Sequence, residues 1–150
     1  MYGFISAVLA DKGRQVYAVS PNETVREAVR QMNHAGVGAV IVAVIVNDHH
    51  KLVGIFTERD VLRRVVDQGR NPDTTHIKDV MTSDLFVVQT QTRIEDAMAM
   101  MTAHRCRHLP VLDGGELVGL VSIGDLNRWA SLNLEAHLQQ LTEYITGPVG

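Results

Sequence analysis

KLVGIFTERDVLRR (residues 51–64) and ELVGLVSIGDLNRW (residues 116–129) are two versions of one segment, 65 residues apart. Leu52, Val53, Gly54, Asp60 and Arg63 recur as Leu117, Val118, Gly119, Asp125 and Arg128. Upstream the repeat continues at an offset of 69, where Val19 meets Val88, Val25 meets Ile94, Ala28 meets Ala97, Met32 meets Met101 and Val42 meets Val111. The change of offset means that the first copy carries four extra residues near positions 44–50. These lengthen a β-hairpin without breaking the unit.

Each copy reads as strand, helix, strand, strand, helix. Residues 16–19 and 86–88 are short apolar strands. A helix follows at residues 24–34, with Val25, Ala28, Val29 and Met32 on one face, and Ile94, Ala97, Met98 and Met101 repeat that stripe. Thr24 with Glu27, and Thr92 with Glu95, fit the Thr-x-x-Glu capping box, one position apart in the alignment. Residues 38–46 and 52–56 then form a hairpin through Asn47-Asp48. Its counterpart joins residues 109–112 to 117–121 through Asp113-Gly114-Gly115. The second helices begin near Thr57 and Ser122, and the first ends at Gly69, a residue suited to a left-handed C′ position. Asp-Val-Met-Thr (residues 79–82) reads as a short lead-in helix. A C-terminal helix at residues 132–145 carries Leu134, Leu138, Leu141 and Ile145 on one face.

The expected organisation is therefore a first repeat with its lead-in (1–69), a linker (70–76), a second repeat (77–131) and a C-terminal helix and tail (132–150). Each repeat is too small to bury a core alone and leaves one sheet face uncovered. An α/β architecture of two β-α-β-β-α repeats, packed about a pseudo-twofold axis, solves both problems and creates two equivalent clefts. Composition agrees with a globular chain, since 45% of the residues are hydrophobic and 21% charged. A net charge of -3 supplies no basic field for a polyanion, so nucleic-acid binding is not expected. The single cysteine, Cys106, excludes an intrachain disulfide and suits a reducing cytoplasm. The longest apolar run, residues 38–46, is too short to span a bilayer, and no basic residue precedes the apolar N-terminus as a signal peptide would require.

Two segments carry candidate chemistry. In the first, a strand delivers a hydroxyl residue and then an Asp three positions on, at a helix start: Thr57 with Asp60, and Ser122 with Asp125. The pair can be a helix cap and nothing more. It can also be a nucleotide site. The helix N-terminus and the hydroxyl would face phosphate, and the carboxylate would accept from both ribose hydroxyls. The second segment is His104-Arg105-Cys106-Arg107-His108. A zinc site there has three local ligand types and no fourth, and a Cys–His nucleophile lacks an orienting group. The remaining readings are a solvated basic turn and an anion clamp made by Arg107 and His108. The first copy has Val37-Gly38-Ala39 in that place, so the two clefts should differ in affinity or ligand. No nucleophile, base and metal set stands out, so an enzyme is not expected.

With DVMT, HRCRHLPV, LVGIFTERDVLRR and LVGLVSIGDL in this order, the chain resembles a tandem pair of CBS (cystathionine-β-synthase-type) domains, a Bateman module, over roughly residues 5–130. The resemblance implies an adenosine-containing ligand: AMP first, with ADP, ATP, S-adenosylmethionine or NAD(H) as alternatives. It places ribose hydroxyls on Asp60 and Asp125. Phosphate falls to Thr57, Ser122, Arg107 and His108, with Arg59 within reach, and adenine lies against Tyr17, Gly38, Ala39, Ile55 and Leu120. It further implies a homodimer formed through helices. No length remains for an attached enzyme or channel, so a stand-alone regulatory module acting on a separate partner is expected. A ligand-independent structural or interaction protein is the alternative.

Overall fold

The repeat folds as two three-stranded sheets, each opening on a parallel pair and closing on an antiparallel hairpin. The structure, a computed structural model, describes residues 3–146. Its elements run α1 (Ile5–Lys12), β1 (Ala18–Val19), α2 (Val25–Ala35), β2 (Ala39–Val46), β3 (His49–Thr57), α3 (Glu58–Asp60), β4 (Val88–Gln89), α4 (Ile94–His104), β5 (His108–Asp113), β6 (Glu116–Ser122) and α5 (Ile123–Thr146). The turn of α3 continues as a π-helical segment, Val61–Val66, and Gly69 beyond it takes a left-handed φ of +65°. The sheets are ordered β1-β2-β3 and β4-β5-β6. This is the α/β pattern of two β-α-β-β-α repeats.

The extra residues of the first copy lengthen its hairpin, as the offsets require. Strands β2 and β3 have 8 and 9 residues, against 6 and 7 in β5 and β6. Asn47 and Asp48 both take positive φ, as a two-residue turn between right-twisted strands demands.

Contacts divide the chain into two compact units, and their boundaries do not follow the repeat. Residues 15–85 form one unit, while the chain up to residue 14 joins residues from 86 onward in the other. The reason lies in the lead-in segments. Ile5, Val8 and Leu9 of α1 are buried with Val88, Ile94, Leu109 and Val121. Ile77 and Val80, from the segment before the second copy, are buried with Val19, Val25, Val42 and Phe56. Main-chain bonds follow the same exchange. The Val25 and Arg26 N–H groups donate to the Thr75 and Pro72 carbonyls, and the Ile94 N–H donates to the Gly3 carbonyl. The residues expected as a linker thus satisfy the first turn of α2, a need that every helix start has.

Several local expectations are corrected. The capping box of Thr24 and Glu27 forms, but Thr92 and Glu95 do not make one. Arg93, the residue aligned with Thr24, is the N-cap of α4, and the Thr92 hydroxyl accepts from the Gln89 N–H instead. The lead-in helix is a 3₁₀ turn at Ile77–Asp79, so Met81 and Thr82 lie beyond it. The strands expected at 16–19 and 86–88 are only two residues each, Ala18–Val19 and Val88–Gln89. Phe86 leaves its strand to stack on His104, with ring centroids 3.6 Å apart. The C-terminal helix is not separate, because α5 runs unbroken for 24 residues. Leu132, Leu134, Leu138 and Leu141 are exposed on it, while the side chain of Ile145 lies outside the described residues.

Helix ends differ as well. Gly36 closes α2 at φ +69°, and Arg105 closes α4 at φ +53°, a conformation that strains a residue with a Cβ.

Candidate functional site

Both hydroxyl–Asp pairs fold as capping boxes at the junction of strand and helix. In the unit of residues 15–85, the Thr57 N–H donates to Asp60 Oδ2 at 3.0 Å and the Asp60 N–H to Thr57 Oγ1 at 3.4 Å. In the other unit, the Ser122 N–H donates to Asp125 Oδ2 at 2.8 Å and the Asp125 N–H to Ser122 Oγ at 3.1 Å. The helix is closed from a third direction too. The Glu58 N–H donates to the Gly38 carbonyl at 3.0 Å, and the Ile123 N–H to the Arg107 carbonyl at 2.8 Å. Gly38 and Arg107 therefore hold matching places through their main chains. Two of the first-turn N–H groups that a nucleotide reading offers to phosphate already have acceptors.

The lead-in segments reach each carboxylate because a glycine lets them lie close to the sheet. A Cβ at Gly54 would fall 2.6 Å from Met81 Sδ, and one at Gly119 would fall 2.7 Å from Leu9 Cδ2. From these contacts, Thr82 arrives beside Asp60 and Lys12 beside Asp125, and the environments diverge.

Asp60 is 6% exposed. Its carboxylate accepts from the Thr82 hydroxyl at 3.2 Å, and Arg64 Nε stands 3.6 Å away. Burial pushes this carboxyl above its ordinary range, and the Thr57 N–H and Arg64 pull it back without cancelling the rise. Asp125 keeps a quarter-exposed side chain and accepts from Lys12 Nζ at 2.6 Å. Burial pushes here as well, but the Lys12 ammonium and the Ser122 N–H outweigh it and hold the carboxyl below its ordinary range. Lys12 Nζ also donates to the Leu120 carbonyl at 2.7 Å. Lys12 and Asp125 line a cavity of about 310 Å³ with Val8, Asp11, Arg128 and Trp129. That volume is at the lower end for small-molecule pockets.

The remaining predicted residues fall into the same two neighbourhoods. Ala39 pairs with Thr57 across β2 and β3, and the Tyr17 carbonyl accepts from the Ile41 N–H. Ile55 is buried and exchanges both main-chain bonds with Thr82, while Arg59 is exposed. In the other unit, His108 pairs with Ser122, Pro110 pairs with Leu120, and Arg107 is exposed. Among the described residues, no group of three His, Cys, Asp or Glu side chains could hold a metal ion. Burial pushes the Cys106 thiol up, opposite to what a nucleophile needs. Among the described residues, no helix is long and apolar enough to cross a membrane.

Sequence reasoning missed Lys12, Arg64 and the contact of Thr82. A third offset, 72, aligns the two lead-in segments, with Ile5, Val8 and Leu9 of α1 on Ile77, Val80 and Met81, but it sets Lys12 on Asp84 and Thr82 on Ala10, so neither contact repeats. The partners of Asp125 and Asp60 then fall on the lead-in segments, 113 and 22 residues away, and no local motif links them.

Comparison with known proteins identifies the family and the fold. The family model described as CBS domain matches residues 12–67 and 77–131. The mitochondrial CBS domain-containing protein CBSX3 of Arabidopsis thaliana is 38% identical over 149 residues, covering 95% of this chain and 72% of its own length. The CBS domain-containing protein YhcV of Bacillus subtilis is 37% identical over 122 residues, covering 81% of this chain and 84% of its own. The crystal structure of a CBS-domain-containing protein from Agrobacterium tumefaciens superposes with a TM-score of 0.78 at 34% identity, covering 85% of this chain and 99% of that one.

Proposed function

Because this chain belongs to the CBS domain family, as a tandem pair of such domains, we propose that it is a regulatory module that binds an adenine nucleotide and acts on a separate protein. The observation that carries the reading is Asp125. Its partly buried carboxylate stands at a strand–helix junction, on the wall of a cavity that also presents two cations, Lys12 and Arg128, and a second carboxylate, Asp11. A carboxylate accepts from both hydroxyls of a ribose, which a phosphate-binding group cannot do. Ser122, Arg107 and His108 belong to the phosphate side of the ligand. Leu120 belongs to the adenine side, as do Tyr17, Gly38, Ala39 and Ile55 in the other repeat. AMP is the first choice of ligand; ADP, ATP, NAD(H) and S-adenosylmethionine share the adenosine group that Asp125 would hold. A ligand regulates only if it binds two conformations unequally, so the module must shift between states on binding.

Calorimetry with AMP tests the proposal. A binding free energy of about -8 kcal/mol corresponds to roughly micromolar affinity. The pair of substitutions Ser122→Ala and Asp125→Ala should weaken it at least tenfold, about 1.4 kcal/mol. Retained affinity in the double variant would remove Asp125 and Ser122 from the site.

A second reading, a structural or interaction protein that needs no ligand, draws on the completeness of both capping boxes. It predicts no thermal shift with any adenine nucleotide. In either reading the exposed leucines of α5 suit self-association as a homodimer. A reducing, cytoplasmic setting is proposed from the single cysteine.

A further inference from the structure

Lys12 sits on groups that the proposed ligand would need. Its ammonium bonds Asp125 Oδ2 at 2.6 Å and the Leu120 carbonyl at 2.7 Å. Those are the ribose acceptor and a main-chain group of the adenine side. A ligand that takes Asp125 must therefore displace an ammonium from it. The ion pair is partly open to solvent, with side-chain exposures of 33% for Lys12 and 25% for Asp125, so the exchange does not strand a charge in a dry core.

Displacement has different consequences for different ligands. A neutral nucleoside gives Asp125 two hydroxyl donors and costs the ammonium its ion pair with Asp125, leaving Asp11 as the remaining carboxylate of the cavity. A nucleotide brings its own anion, and the four-carbon stem of a lysine lets the charge swing from Asp125 toward it. Charge-assisted bonds are stronger than neutral ones, so the exchange favours the ligand that restores an ion pair.

The geometry points to Lys12 as a specificity-determining residue: a tethered cation that occupies the ribose carboxylate in the empty site and transfers to the phosphate of an incoming nucleoside monophosphate. Adenosine is thereby rejected relative to AMP by a residue of α1, which belongs to neither member of the hydroxyl–Asp motif. The inference rests on the nucleotide reading above, and it adds to that reading a reason for discrimination against the uncharged nucleoside.

The test measures dissociation constants for AMP and adenosine by calorimetry on the full chain, on Lys12→Met and on Lys12→Arg. Lys12→Met should bind adenosine more tightly than wild type does, and its preference for AMP over adenosine should fall about tenfold or more. Lys12→Arg should keep most of the preference, because it keeps the charge. An unchanged preference in Lys12→Met overturns the inference while leaving the nucleotide site intact. Equal collapse in Lys12→Met and Lys12→Arg also overturns it, since the loss would then come from disturbed packing rather than charge. Binding of neither ligand by any of the three proteins overturns the nucleotide reading itself, and this inference with it.

Discussion

Asp60 and Asp125 occupy equivalent positions in the two repeats, make the same capping box, and live in different chemical environments. Asp60 is sealed, with Thr57, Thr82 and Arg64 around it and 6% exposure. Asp125 is a quarter exposed, and its added partner is a flexible ammonium. A hydroxyl such as Thr82, on a main chain held by two bonds to Ile55, is a fixed partner. A lysine at the end of a helix is a removable one. Duplication thus preserved the motif, while the lead-in segments set the partners of each copy. The Asp60 box is closed by a hydroxyl on a bonded main chain, and the Asp125 box by a flexible ammonium.

This contrast is open to direct attack, and stability is the most sensitive probe. Asp60→Ala removes a helix cap, strips the Thr82 hydroxyl of its acceptor and takes away the ion-pair partner of Arg64, which should cost about 3 kcal/mol in urea unfolding. Asp125→Ala loses a cap that water can partly replace and should cost about 1 kcal/mol. Equal losses would end the distinction between a sealed and an open site.

The next effect lies where the lead-in segments touch the sheets. Gly54→Ala meets the Thr82 carbonyl at 3.0 Å as well as Met81, and main chain cannot swing aside. Overpacking of this kind costs about 2 kcal/mol. Gly119→Ala meets only the branched end of Leu9 and should cost less, about 1 kcal/mol. A larger loss at Gly119 would show that α1, not the segment through Thr82, is the rigid one.

Helix ends offer a gain instead of a loss. Arg105→Gly relieves the left-handed backbone that Gly36 already adopts freely in the other repeat. It should raise the melting temperature, with a stabilisation of about 0.5–1 kcal/mol. No gain would mean that the Arg105 side chain makes up for its own strain.

The smallest effects concern pH, and they run in opposite directions. Asp60 is held above 3.8 in the folded chain, so its contribution to stability is fullest when it is protonated. That contribution falls as pH rises from 3.8 through its folded value. Asp125 is held below 3.8, so its contribution is present above that pH and is lost as pH falls through its folded value. Relative to wild type, Asp125→Asn should therefore be more destabilised at about pH 6 than at about pH 2, and Asp60→Asn should gain relative stability between those limits. Matching pH profiles would show that the two carboxylates share one environment after all.

Much of the fold was legible because it depends on local periodicity. The apolar stripe of Val25, Ala28 and Met32 defines α2, and the four-residue change of offset locates the longer hairpin. The hydroxyl–Asp motif was legible for the same reason, since a cap involves residues three apart. Misreading occurred where a motif match sat one residue away from the true helix start. Arg93, not Thr92, is the N-cap of α4, and the Thr92 hydroxyl turns back to accept from the Gln89 N–H.

By itself, then, the sequence determined that this protein is a duplicated β-α-β-β-α unit with a hydroxyl–Asp cap in each copy. Those features are written in spacings of two to four residues and in the repetition of the pattern. Only the tertiary structure decided which segment covers which sheet, and hence that Thr82 meets Asp60 while Lys12 meets Asp125. The physical reason is that a carboxylate's burial and charge depend on groups brought close in space, here 22 and 113 residues away along the chain.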